Sequence, residues 1–124
     1  MSDAIKHDKE KLRFDLVPVY PQEQVAAVYT FGAKKYSDRN WEVGFTWNRP
    51  YGATLRHMVA FWGGEDLDPE TGLPHLAHAI CELQFLLEFT KTHPEMDNRP
   101  KRSYAEMYKA DQKNPRRDTQ KGGQ

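Results

Sequence analysis

PHLAHAICELQFLLEFTKTH, residues 74–93, is the stretch that decides the fold. Leu76, Ile80, Leu83 and Leu87 recur at spacings of 4, 3 and 4, one stripe of a helix with 3.6 residues per turn. Pro74 stands where the first turn of a helix tolerates proline, and His93-Pro94 ends the run. The segment is therefore expected to be the longest helix. Burial of its four aliphatic side chains contributes on the order of 6–12 kcal/mol before chain entropy is set against it. Upstream, Asn48 and Pro50 predict the cap and first turn of a second helix. Its stripe is Leu55, Met58, Val59 and Trp62, and Gly63-Gly64 end it. A third helix is predicted from Pro21, with Val25, Val28, Tyr29 and Phe31 on one face and Lys34 and Lys35 at its negative end. The residues between, Trp41 to Trp47, form an aromatic connector, a short strand or an irregular lid whose alternation Gly44 interrupts. The expected class is mainly α: three principal helices and an aromatic connector, with a core small enough to call for completion by oligomerisation.

At 124 residues the chain suits one domain. Residues 1–93 are expected to form it. Residues 94–124 read as a charged, partly disordered tail, in which Ser103 and Glu106 match a capping box and predict a short helix over 104–111. Eighteen basic and eighteen acidic side chains give zero net charge, which disfavours direct nucleic-acid binding. A lone cysteine, Cys81, rules out an internal disulfide framework. The opening MSDAIKHDKEKLRF has no apolar secretory core, and no apolar run reaches the ~18–20 residues of a membrane span. The cytosol is the expected location, that of the host if the chain is phage-encoded, with no membrane partner.

Zero net charge conceals a segregation. Residues 57–88 hold Glu65, Asp66, Asp68, Glu70, Glu82 and Glu88 without one Lys or Arg, and with them His57, His75 and His78. Carboxylates crowded this way repel one another unless they are solvated, spread out or bridged by a cation. Carboxylates and imidazoles together suit a divalent ion. His75, His78 and Glu82 share one helix face, away from the leucine stripe, as inward metal sites of helical bundles do. The plainer alternative is a first-turn cap at His75 and a solvated His78–Glu82 pair. The N-terminal half supplies the complement: Lys11, Arg13, Lys34, Lys35 and Arg56 to hold phosphates, and Tyr36, Asn40 and Trp41 to hold a base. A metal-bound nucleotide fits the two halves together. Familiar motifs are absent: Asp66-x-Asp68-x-Glu70 fails as an EF-hand loop because its twelfth position is Ala77, and there is no HExxH, P-loop or GxGxxG.

Two sets of residues carry a family resemblance. One is Tyr29-Thr-Phe-Gly-Ala-Lys-Lys-Tyr36 with Arg39-Asn-Trp-Glu42. The other is Leu55-Arg-His57 with Gly64-Glu-Asp66, Asp68-Pro-Glu-Thr-Gly72 and His75-Leu-Ala-His78. Over residues 8–92 the chain resembles a domain common in phage genomes, the N-terminal domain of the phage dATP/dGTP diphosphohydrolases. The resemblance implies hydrolysis of a purine deoxynucleoside triphosphate to monophosphate and pyrophosphate. It also implies a more distant link to helical, Mg²⁺-dependent MazG-type pyrophosphohydrolases. The MazG pattern has two glutamates three apart on one helix, then Glu and Asp three apart on the next. Here Glu65 and Asp68 have the second spacing but lie in a predicted loop, and no upstream pair exists.

The chemistry expected on this reading uses Mg²⁺ or Mn²⁺ held by Glu65, Asp68 and one or more of His57, His75 and His78. Lys34, Lys35 and Arg56 neutralise phosphate charge, and Glu82 or Asp66 serves as general base. Two other expectations stand beside it: a protein that binds or sequesters a nucleotide or nucleotide-derived signal without turnover, and a helical oligomer in which the same residues are structural.

Overall fold

A computed structural model describes residues 4–100 together with Glu106 and Tyr108. Three α-helices carry the fold: α1 over Val19–Lys35, α2 over Asn48–Trp62 and α3 over His75–Thr92. Short 3-10 turns at Phe14–Leu16, Asn40–Val43 and Pro94–Met96 punctuate the connections. Among the described residues there is no strand, only an isolated bridge between Leu67 and Pro74. The aromatic connector is therefore a 3-10 turn with an extended exit. No described helix is long and apolar enough to cross a membrane. Of the helix expected over 104–111, only Glu106 and Tyr108 lie within the described residues, both helical.

The helix boundaries follow proline, glycine and borrowed caps. Helix α1 begins at Val19, two residues before the expected Pro21. Proline within the first turn costs no hydrogen bond, because the first four N–H groups have no helical partner. Asn48 opens α2 without capping it. Its own N–H donates to Asn98 Oδ1 (3.0 Å), and its Oδ1 accepts from Thr46 Oγ1 and Asn98 Nδ2. A side chain from beyond α3 thus does the work expected of Asn48. Pro74 caps α3, which starts at His75 and gives way to the Pro94–Met96 turn after His93.

Helix α3 is the axis of the molecule, with α1 and α2 packed along different sides of it. Helices α2 and α3 run antiparallel: Trp47 Nε1 at the start of α2 donates to the His93 carbonyl at the end of α3, while His57 meets His75 at its beginning. The α1–α3 seam joins Val25 and Val28 to Ala77 and Cys81, with Tyr29, Leu73 and Phe85 against it. Small residues on α3 let the helices approach closely. An aromatic layer continues the core: Trp41 stacks on Phe85 at 4.8 Å, and Phe45 meets Phe89 edge-on at 5.3 Å. Gly44, at φ +93°, holds the connector where a Cβ would lie 2.9 Å from the His93 ring and Met96 Sδ, so no larger residue fits there.

The two stripes singled out in the sequence are not this core. Leu76, Ile80, Leu83 and Leu87 are 36–73% exposed, and Leu55, Met58, Val59 and Trp62 are 42–88% exposed. The buried positions of α3 are His75, Ala77, Ala79, Cys81 and Phe89. At about 100° per residue these lie around the side of α3 facing its neighbours, and the leucine stripe occupies the opposite side. Helix α3 thus carries apolar side chains on two sides, and the stabilisation expected from its stripe is only partly realised within one chain.

Candidate functional site

The imidazole-bearing ends of α2 and α3 are joined by the 63–74 loop, and the loop is built to present one carboxylate. Asp68 Oδ1 accepts the backbone N–H groups of Glu70 (2.8 Å) and Thr71 (3.2 Å). The Asp68 N–H donates to the Leu73 carbonyl, and the Gly72 N–H donates to the Asp68 carbonyl. Gly72, at φ +72°, supplies the left-handed step this closure requires. The remaining oxygen, Oδ2, faces the histidines, 3.9 Å from His57 Nδ1 and 4.0 Å from His75 Nδ1.

The two Nδ1 atoms are 2.9 Å apart. His75 Nε2 lies 2.6 Å from Glu65 Oε1, and that carboxylate assigns the Nε2 proton to His75 and leaves Nδ1 toward His57. One proton between the two Nδ1 atoms satisfies the pair; a cation would satisfy both lone pairs at once. The donor set fits an ion. A triangle with sides 2.9, 3.9 and 4.0 Å has its equidistant point ~2.1 Å from each corner, the length of a metal–nitrogen or metal–oxygen bond. His57, Asp68 and His75 are the group of His, Cys, Asp and Glu side chains among the described residues close enough to share one ion. Glu65 behind His75 completes a carboxylate–histidine pair of the kind that orients metal ligands. Two imidazoles favour Mn²⁺ or a later first-row ion over Mg²⁺, which prefers oxygen.

Of the residues expected as ligands, His57, Asp68 and His75 converge. Glu65 stands one bond behind, and His78 lies alongside, its ring stacked on His57 at 4.7 Å and its Nε2 2.7 Å from Thr71 Oγ1. Burial, then the neighbouring imidazoles, hold His57 below the usual histidine range; burial does the same for His78. Burial pushes the Asp68 carboxyl up, but the loop N–H groups and the imidazoles outweigh it and its net shift is downward. Burial thus favours the neutral, lone-pair-bearing form of His57 and His78, and the loop amides favour the ionised form of Asp68.

Of the expected catalytic groups, Asp66 contributes its backbone carbonyl, which accepts the His75 N–H at 2.9 Å, while its exposed side chain stays outside the cluster. Glu82 lies one turn beyond His78 on α3, and burial raises its pKa to about 7 against the pull of Arg56. It makes no hydrogen bond or ion pair among the described residues. A carboxyl protonated in the folded chain up to pH ~7, but ionised above about 4.5 when unfolded, stabilises the fold at low pH and loses that contribution as pH rises between the two values. Urea midpoints of the native chain are therefore expected to fall relative to those of Glu82→Gln from pH ~5 to ~8. Parallel curves for the two chains would contradict this.

The expected nucleotide residues scatter more. Lys35, at the end of α1, reaches the site loop through Glu70 at 2.6 Å. Lys34 and Tyr36 are exposed beside it, and Asn40 opens the following 3-10 turn. Arg56 lies along α2 beside Gly52. Trp41 is committed to the core against Phe85, not free to stack on a base. Lys11 and Arg13 belong to the exposed segment before α1, and Arg13 is taken up by Asp15 at 2.8 Å. Burial holds the Cys81 thiol protonated, with its pKa pushed up to about 12, which removes it as a nucleophile. The sequence reading missed Thr71, whose spacing of seven from His78 gives no helical signal because a turn lies between them.

A small all-α protein with a histidine–carboxylate centre at the mouth of a helical hairpin is the class that this fold and site define. The model for the dATP/dGTP diphosphohydrolase N-terminal domain matches residues 2–99, and the chain belongs to that family. It is 36% identical over 96 residues to a dATP/dGTP diphosphohydrolase of Salmonella phage PMBT28, an alignment covering 77% of this chain and 33% of that protein. The chain thus spans about a third of the length of that relative. No solved structure matches it.

Proposed function

We propose that the chain binds a purine deoxynucleoside triphosphate together with a divalent cation, Mn²⁺ before Mg²⁺, and hydrolyses it to the monophosphate and pyrophosphate. The observation that carries this reading is the meeting of His57 Nδ1, His75 Nδ1 and Asp68 Oδ2 around one point, on a chain whose phage relative is named a dATP/dGTP diphosphohydrolase. His57, Asp68 and His75 hold the ion, and Glu65 fixes the His75 ring. When bound, the ion polarises a phosphate oxygen and lowers the pKa of a water. Lys35, with Lys34 and Arg56, supplies positive charge for the phosphates. Glu82, whose carboxyl exchanges its proton near pH 7, is the general base of this reading. The working unit is a homo-oligomer in the cytosol.

A second reading, nucleotide binding without turnover, has one observation in its favour: the aligned stretch covers 33% of the relative named a dATP/dGTP diphosphohydrolase, so the likeness does not locate that protein's activity in the part the two share. Incubation of the 124-residue chain with dATP or dGTP and Mn²⁺, followed by chromatography, separates the two. Monophosphate and pyrophosphate in equal amounts are expected. Saturable binding without product selects the second reading, and neither binding nor product overturns both.

A further inference from the structure

The apolar stripes of α2 and α3 are expected on one continuous face. The leucine stripe of α3 lies opposite His78, Phe85 and Phe89 around the helix. The stripe of α2 lies about a third of a turn from Thr54, His57 and Phe61, which face α3. Because the two helices are antiparallel, both stripes turn to the same side of the hairpin. The imidazole cluster lies on the other side, and the start of α1 borders the face at Ile80, which lines a groove with Pro21, Val25 and Tyr29. No charged side chain falls within either stripe: Glu82 and Glu88 of α3 lie elsewhere around the helix, Arg56 of α2 turns back beside Gly52, and Lys91, four residues beyond Leu87, bounds the α3 stripe at its end.

We propose that this face is the interface with a second copy of the chain, two α2–α3 hairpins packing back to back into a four-helix layer. The exposed fractions of the eight side chains amount to roughly 900 Å² of surface, against about 800 Å² per partner in a standard protein interface. A single soluble chain rarely leaves so large an apolar patch open. The face is self-complementary, since two uncharged apolar surfaces related by a two-fold axis need no matching of opposite charges. Residues 94–124 offer little to cover it, because they hold no Leu, Ile, Val, Phe or Trp. The exposed Leu12 and Phe14 stand among charged residues, and the uncharged Leu16–Tyr20 run borders the face at Ile80 without extending over the α2 stripe. Pairing on this side leaves both His57–Asp68–His75 centres open. The inference stands independently of the hydrolase reading.

Light scattering of the full chain at micromolar concentration is expected to give twice the 14.5 kDa chain mass, or a multiple of two. The double variant Leu83→Glu, Leu87→Glu is expected to halve the dimer mass with its helical circular dichroism kept, because both side chains are solvent-exposed in the single chain. A second measurement does not depend on that variant. Trp62 is 88% exposed in one chain, and in the assembly it is expected to be shielded from iodide, read as the difference between the native chain and Trp62→Phe. A native mass of one chain would overturn the proposal. So would an assembly that survives both charge substitutions, or one in which iodide quenches Trp62 as freely as exposed indole.

Discussion

Asp68→Asn is expected to lower Mn²⁺ affinity and any turnover that depends on it by about 100-fold or more, with the helices unchanged. The asparagine carbonyl oxygen can still accept the Glu70 and Thr71 N–H groups, so the turn keeps its closure. Its NH₂ group then occupies the place of Oδ2, and N–H bonds point at the position the cation needs. The substitution thus removes the negative charge and adds a donor where an acceptor is required, without opening a cavity. Calorimetric titration with Mn²⁺ and chromatography of the nucleotide products measure the two effects, with Glu23→Gln on the first turns of α1 as an acidic substitution outside the cluster. Native affinity in Asp68→Asn would leave the centre without its anion and remove the proposed mechanism.

Phe89→Ala is expected to cost about 3–5 kcal/mol of stability. Phe89 has no exposed surface, and its ring lies against Phe45, Trp41 and His93. Helix α3 and the connector meet at this point, and neither can collapse inward, because Gly44 already holds the connector against the His93 ring. Domains of this size are stable by about 5–15 kcal/mol, so the variant is expected to be partly unfolded at room temperature or to show a much lower denaturant midpoint. Phe89→Leu, which keeps most of the volume, should lose clearly less. Equilibrium denaturation of the three chains gives the ordering; a loss under 1 kcal/mol in the alanine variant would show that the aromatic layer is not a shared core.

Helix ends were legible because proline and glycine act locally. Pro74, His93-Pro94 and Gly63-Gly64 mark boundaries whatever the rest of the chain does. The gathering of imidazoles and acids was partly legible for a similar reason: spacings of three and four on α3, and a block without cations, constrain geometry within one helix and its adjoining loop. Which apolar residues are interior was not legible. Periodicity reports that Leu76, Ile80, Leu83 and Leu87 share a side; it does not report what that side meets. The interior line of α3 is written in Ala77, Ala79 and Cys81, small residues that serve close helix approach and give a weak hydrophobic signal. The contribution of Asn98 to the start of α2 and that of Thr71 to His78 were likewise hidden, because each depends on a chain reversal that no repeat encodes.

The closed turn around Asp68 has a further consequence. With one oxygen fastened by two amides and the neighbouring imidazole braced by Glu65, the groups at the centre have little rotational freedom left to surrender when a ligand arrives. The entropy of arranging them is charged to the folding of the hairpin, so association begins from a rigid receptacle and its free energy is correspondingly less eroded.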